Sequence, residues 1–166
     1  MLTAGPPPSV ARCQTPTNSP NSSSDTSAAR NPIAMEIDLP DVVAEVRAAF
    51  ERYERALVSN DVDTLDEIFR DDPRTIRYGA TEILYGYTEI KRFRAARSPV
   101  GLMRTLSNTV ITTYGRDYAV ASTLFRRDSA PGKIGRQTQT WVRFPEGWRV
   151  VVGHVSVMDE PAEKAR

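Results

Sequence analysis

The sequence predicts an α+β domain in which helices pack on one face of a curved, mainly antiparallel sheet. Three observations lead to this fold class. Apolar residues recur at helical spacing through most of residues 38–96, strand-like runs without a helical period fill residues 104–158, and turn-forming residues separate those runs. Helices that precede an antiparallel meander in the chain pack together on one face of its sheet.

The composition is that of one globular domain. Of 166 residues, 40% are hydrophobic and 26% are charged, and 22 basic residues balance 21 acidic ones. This balance argues against a nucleic-acid partner, which would select a basic stripe. The only cysteine is Cys13 and the only histidine is His154, so we expect no disulfide, metal site or cofactor. No apolar run reaches the roughly 18 residues of a membrane span, and we expect a reduced, cytoplasmic setting without membrane contact.

Residues 1–34 differ from the rest of the chain. They hold six of the twelve prolines and an Asn-Ser-Ser-Ser run at 21–24, a composition typical of disorder. We expect a disordered tail, either a linker or targeting arm or, as we favour, an extension upstream of a true start at Met35. The folded domain is then 35–159, followed by a flexible C-terminus at 160–166.

Two helices open the domain. The first begins near Asp38, which can cap it, with Pro40 in its first turn, and it continues for about five turns to Ser59. Its apolar stripe includes Tyr53. A shorter helix follows, which Asp61 can cap and which ends before residues 71–73.

Short strands at 74–79 and 82–85 lead to a third helix that opens at Gly86, with Ile90, Phe93 and Ala96 facing inward. Four longer strands are predicted at about 104–114, 117–127, 134–144 and 148–158. The turns between them, at 115–117, 130–132 and 145–147, each contain Gly, and the last two also contain Pro. The meander is therefore expected at the C-terminal end of the domain.

This element order, together with Ser-Asn-Asp-Val-Asp-Thr-Leu at 59–65 and Trp-Arg-Val-Val-Val-Gly-His-Val-Ser at 148–156, resembles the NTF2-like superfamily. More narrowly, the sequence resembles its AtzH/HpxZ-type members, named for cyanuric-acid and oxalurate catabolism. The matching stretches are 35–40, 50–54, 75–79, 101–104, 110–116 and 135–143. The resemblance implies a cone with a pocket between the long helix and the concave sheet face, and a homodimer formed through the sheet.

The resemblance also implies a catalytic pair, a tyrosine on the first helix and an arginine on the first strand. These positions are Tyr53 and Arg77 here. From the residues alone, Tyr53 is better explained as a core tyrosine bonded to a strand carbonyl, and only the family resemblance favours the catalytic role. Arg77 either points into the cone, where it would bind a substrate carboxylate, or lies exposed at an edge or pairs with an acid such as Glu82.

Further pocket candidates lie on the last two strands. We expect Gln139 and Trp141 on one strand, and His154 and Ser156 on the next, to contact substrate. Simple alternation places His154 and Ser156 on the same face as Val150. His154 among valines is otherwise an ordinary core histidine. Weaker candidates are expected on the solvated surface: Tyr85, Arg97 and Arg104.

Three functions compete. The first is a cofactor-free decarboxylating amidohydrolase that acts on a small carboxylated urea or oxalurate-like compound, with Tyr53 giving a proton to the leaving nitrogen. The second is a non-catalytic dimeric subunit that binds a partner amidase of the same pathway. The third, an isomerase of the ketosteroid type, requires a pocket carboxylate as base. The strands predicted around the pocket offer none at a good position, because Asp117 and Asp128 lie at turns.

Overall fold

Six strands form one mixed, curved sheet, and three helices accompany it, which confirms the predicted α+β class. The computed structural model describes residues 35–161. The predicted tail at 1–34 and the last residues of the predicted flexible C-terminus, 162–166, lie outside the described residues. None of the helices in the described part is long and apolar enough to cross a membrane.

The first helix, α1, spans Pro40–Ser59, with proline in its first turn and Asn60 in the left-handed region (φ 54°) at its end. Its predicted stripe is buried from Val42 to Leu57. The predicted cap is wrong, because no side chain caps this helix. Asp38 instead anchors the chain to a strand: its carboxylate accepts a hydrogen bond from the Thr113 amide at 2.9 Å, and its own amide donates to the Thr113 carbonyl at 3.1 Å.

Helix α2 spans Val62–Ile68, and Asp61 caps it as predicted, accepting from the Thr64 amide at 3.0 Å. Helix α3 spans Tyr87–Ala96. Its inward face differs from the prediction, because Ala96 is exposed and Arg94 is buried. Arg94 donates at 2.9 Å to Asp66 on α2 and lies 4.1 Å above the Phe69 ring, and these contacts compensate the burial of its charge.

The strands are β1 Ile76–Tyr78, β2 Ile83–Tyr85, β3 Thr105–Tyr114, β4 Tyr118–Arg126, β5 Lys133–Phe144 and β6 Gly147–Asp159. Their order across the sheet is β2-β1-β6-β5-β4-β3. The last four form the predicted antiparallel meander, and β1 adds to β6 in parallel. The first strand is therefore placed beside the last one.

A β-bulge in β6 changes which side chains face inward. Trp141 pairs with Val150 whereas Thr140 pairs with Val152, so Val151 is an extra residue on β6. Val150 is fully buried on the inner face of the sheet. Beyond the bulge, Gly153 pairs with the buried Gln139 and faces the same side.

Candidate functional site

A cavity of about 340 Å³ lies beside the inner sheet face, within the size range of small-molecule sites. Its walls come from α1, from α3 and the segment after it, from β1 and the loop before β2, and from the inner faces of β4, β5 and β6. The lining residues are Tyr53, Leu57, Arg77, Ala80, Thr81, Glu82, Phe93, Arg97, Ser98, Val100, Gly101, Leu102, Arg104, Phe125, Arg127, Gln137, Val155 and Val157. The cavity occupies the place at which the family resemblance predicted a pocket.

Positive charge dominates this lining. Four arginines contribute to it, at positions 77, 97, 104 and 127, against a single carboxylate, Glu82. Burial lowers the pKa of Arg97, and the charges of Arg77 and Arg127 lower it further; burial and the charge of Arg104 do the same for the pKa of Arg127. The guanidinium groups therefore destabilise one another, and an anion in the cavity would relieve that repulsion.

Arg77 faces the cavity. It pairs with Gly153 across the sheet, its guanidinium lies 5.0 Å from the Phe93 ring centre, and one of its nitrogens forms an ion pair with Glu82. The Arg77 side chain thus both faces the cavity and pairs with Glu82, although the sequence had offered these two arrangements as alternatives.

Glu82 is a carboxylate in the cavity wall, where the sequence predicted no carboxylate base. Burial raises its pKa, but the hydrogen bond and the charge of Arg77 outweigh that effect, and the pKa lies below its usual value. A carboxylate held in its ionised form in this way is a weak base. The isomerase hypothesis needs a pocket base, and Glu82 therefore supports it poorly.

Tyr53 lines the cavity from α1. Its side chain is only 6% exposed, and its ring centre lies 6.3 Å from that of Phe69. None of the hydrogen bonds between described residues involves its hydroxyl, so the predicted bond to a strand carbonyl is not observed. The phenol is therefore held by packing against Phe69, and its hydroxyl has no hydrogen-bond partner among residues 35–161.

Arg104 is part of a buried network, and its predicted exposure is wrong. Its side chain is 2% exposed and donates to both carboxylate oxygens of Glu54 at 2.5–3.0 Å and to Gln137 at 3.0 Å. The Gln137 amide in turn donates to Glu54 at 3.1 Å. Glu54 follows Tyr53 in α1, so this network fixes the helix turn that carries the tyrosine to strand β5.

Arg97 and Arg127 are the cavity arginines without a carboxylate partner among residues 35–161. Arg97 was expected on the surface, but it is half-buried and donates to the Asn60 side chain at 2.8 Å. Arg127 stacks on Phe125, 5.2 Å from its ring centre. The Nε atoms of both are buried and have no hydrogen-bond partner in the described part of the chain. Alternation along β4 could have identified Arg127, since residues 119, 121, 123 and 125 face inward.

Gln139 and Trp141 both face inward, but neither lines the large cavity. Trp141 is fully buried in the hydrophobic core, where a substrate would not reach it. Gln139 is 1% exposed and lines a second, much smaller cavity behind Tyr53. Substrate binding by these two residues stays a prediction, which the placement of Trp141 does not support.

The side chains of His154 and Ser156 lie on the outer face of the sheet, although His154 also borders the smaller cavity, and their expected alignment with Val150 is wrong because of the bulge. The His154 ring is exposed and packs edge-on against Tyr78, with ring centres 6.0 Å apart. The Ser156 hydroxyl accepts a hydrogen bond from the exposed Arg136 at 3.1 Å. Tyr85 is exposed as expected, and its hydroxyl lies 2.8 Å from that of Tyr78. Within residues 35–161 no group of three or more histidine, cysteine or acidic side chains is placed to hold a metal ion.

A long helix over the inner face of a curved sheet, with a cavity between them, is the architecture of NTF2-like proteins. Within that class the chain belongs to the AtzH-like family, whose model matches residues 35–161. No curated protein matches the chain.

Solved structures agree with this assignment. A protein of unknown function from Pectobacterium atrosepticum is 60% identical in sequence and superposes with a TM-score of 0.72. The alignment covers 74% of this chain and 95% of the Pectobacterium chain. A cystatin-like fold protein from Burkholderia xenovorans is 46% identical, with 76% and 99% covered and a TM-score of 0.74. An NTF2-like protein of unknown function from Pseudomonas putida is 20% identical, with 70% and 86% covered and a TM-score of 0.60, and it supports the fold alone.

Proposed function

We propose that the protein is a cofactor-free hydrolase of a small carboxylated urea or oxalurate-like compound. The observation that carries this proposal is that Tyr53, whose hydroxyl has no hydrogen-bond partner among the described residues, lines a cavity together with four arginines. The arginines supply anion recognition and the phenol supplies a proton. Both are provided by side chains of this chain, and the reaction needs no further group in this scheme.

The cavity selects for negative charge. Arginine binds carboxylates through two parallel hydrogen bonds, and these bonds strengthen where water is excluded. Arg97 and Arg127 have no carboxylate partner among the described residues, so a substrate carboxylate or carbamate can pair with them. The volume of about 340 Å³ suits a compound of modest size.

Tyr53 would act on the bond that breaks. Hydrolysis of a urea or amide requires that the leaving nitrogen be protonated, and a phenol within reach of that nitrogen can donate the proton. An N-carboxy group on the released amine loses carbon dioxide readily once its nitrogen carries the proton. Arg77 lies in the wall beside Tyr53, and we assign it the task of orienting the substrate carbonyl or carboxylate.

Carbon dioxide and ammonia release by the purified full-length protein, with carboxylated ureas and oxalurate, tests the proposal. We expect Tyr53→Phe to lower turnover by about 100-fold or more, the usual effect of removing an acid–base group, with an unchanged melting temperature. The matched control is Tyr118→Phe, which removes a hydroxyl from an exposed tyrosine of β4 and should leave turnover intact. Equal turnover in Tyr53→Phe and the wild type would contradict the proposed role.

A second candidate is the non-catalytic subunit that binds a partner amidase. The observation in its favour is the outer sheet face, where Val110, Tyr118 and Met158 are 59%, 43% and 39% exposed. This candidate predicts co-purification with an amidase and no turnover by the protein alone. The predicted homodimer would use the same face, and both it and the cytoplasmic setting stay predictions.

A further inference from the structure

A second cavity lies next to Tyr53, against strands β5 and β6. Its volume is about 10 Å³, enough for one water molecule and too small for a substrate group. It is lined by Tyr53, Phe69, Arg77, Gln137, Gln139, Gly153, His154 and Val155. A site of this size with several polar neighbours is where proteins hold a single ordered water.

Gln139 supplies an acceptor for that water. Its side chain is 1% exposed, and its Oε1 atom is buried and accepts no hydrogen bond from any residue between 35 and 161. Buried amide oxygens are nearly always paired, with protein or with ordered water. Because Gly153 lies opposite Gln139 on β6 and has no side chain, the space beside this amide stays open.

The small cavity adjoins the large one. Four residues line both cavities: Tyr53, Arg77, Gln137 and Val155. Tyr53 and Arg77 therefore border both cavities, so a water in the small cavity lies next to a molecule in the large one. The phenol can accept from one side and donate to the other, as a hydroxyl group has both capacities.

We propose that the small cavity holds the water that attacks the substrate and that Gln139 orients it. This inference rests on the proposed hydrolase function and assigns it a nucleophile. One hydrogen of the water bonds to Gln139 Oε1, and the oxygen lone pair points toward the substrate carbonyl. As the bond from water oxygen to carbonyl carbon forms, the second hydrogen passes to the Tyr53 oxygen, and the phenol proton passes to the nitrogen. The carbon–nitrogen bond then breaks, giving an acid and an amine and returning Tyr53 to its starting form.

Gly153→Ala is the sharpest test, because it places a methyl group at the small cavity. A Cβ at this position would lie 3.6 Å from the Phe69 ring and 4.0 Å from Cγ of Arg77, which are ordinary contacts, so the variant should fold. We expect kcat to fall by about 100-fold while KM changes by less than about threefold, because a misplaced nucleophile affects the chemical step rather than binding.

Gln139→Met removes the acceptor at similar side-chain volume and should lower kcat by about tenfold or more. Thr113→Val is the matched control. Thr113 is fully buried on β3, its Oγ1 also has no described partner, and it lines neither of the two cavities. Thr113→Val should therefore leave turnover unchanged, which would show that the loss of a buried polar atom does not by itself lower activity.

Crystals of the wild type and of Gly153→Ala supply a readout other than activity. We expect one ordered water within about 3.2 Å of Gln139 Oε1 in the wild type and none in the variant. An active wild type with an equally active Gly153→Ala, or an active wild type without this water, overturns the inference and leaves the hydrolase function standing. A wild type inactive on every compound refutes the hydrolase function, and a water seen in its crystals would then be structural, which overturns the inference as well.

Discussion

Replacing Glu54 by glutamine should destabilise the protein because it leaves the buried Arg104 guanidinium without its charged partner. The Arg104 side chain is 2% exposed, and Glu54 accepts three hydrogen bonds from it and one from Gln137. The glutamine variant leaves a buried guanidinium without a counter-charge. Breaking a buried pair of this kind costs about 3–5 kcal/mol.

The lower end of that range applies here, because Glu54 keeps 12% of its side-chain surface and the amide oxygen can still accept one hydrogen bond. We therefore expect a loss of about 3 kcal/mol in the free energy of unfolding, equivalent to a melting temperature lower by about 10 °C. Urea unfolding followed by tryptophan fluorescence measures the loss directly. Added sulfate should restore part of it, because Arg104 lines the cavity and an anion bound there stabilises only the folded state.

Two controls separate this explanation from a general effect of losing a carboxylate. Glu67→Gln breaks an ion pair with Arg52 in which the side chains are 52% and 43% exposed, and it should cost at most about 1 kcal/mol. The double variant Glu54→Gln/Arg104→Met removes the unpaired charge and should recover much of the loss. A cost below about 1 kcal/mol for Glu54→Gln alone, against the expected range for buried pairs, would refute the reasoning.

Two further predictions concern the cavity wall and the sheet. The pKa of Glu82 lies below its ordinary 4.5, since Arg77 outweighs the effect of burial; its contribution to stability is therefore present above about pH 4.5 and is lost as the pH falls through the lower folded-state value. Glu82→Gln should flatten the acid side of a profile of urea midpoint against pH, and an unchanged slope would count against the ion pair. Gly135→Ala should cost about 1–3 kcal/mol in urea unfolding, because a Cβ there would overlap the Phe125 ring; wild-type stability would show that the ring moves aside freely.

The fold was predictable because periodicity and turn chemistry agree with it throughout residues 35–159. The helix boundaries and the succession of elements along the chain depend on local signals, such as Pro40, Asp61 and the Gly-containing turns, and the structure confirms them. The Asp38 cap failed for a tertiary reason, since the carboxylate bonds to an amide in β3. No local pattern contains that contact.

The site was predictable only in part. Tyr53 and Arg77 came from the family resemblance, and the structure brings them to one cavity. Arg97 and Arg104 were expected on the surface, because an arginine in a loop or at a strand end is usually solvated. Their burial depends on a partner far away in the sequence, Asn60 for one and Glu54 for the other.

The extra residue in β6, Val151, affects which insertions and deletions this strand can accept during evolution. Pairing from Val150 without the bulge would turn Val152, His154 and Ser156 toward the cavity and Gly153 away from it. A deletion of Val151, which would also remove the bulge, would keep every other side chain of β6 on its present face. One position in the middle of a buried strand is thus open to deletion, whereas an insertion or a deletion elsewhere in that strand would exchange the two faces. His154 and Ser156 now place an imidazole and a hydroxyl on the outer face, and a one-residue shift of β6 would turn both side chains toward the cavity.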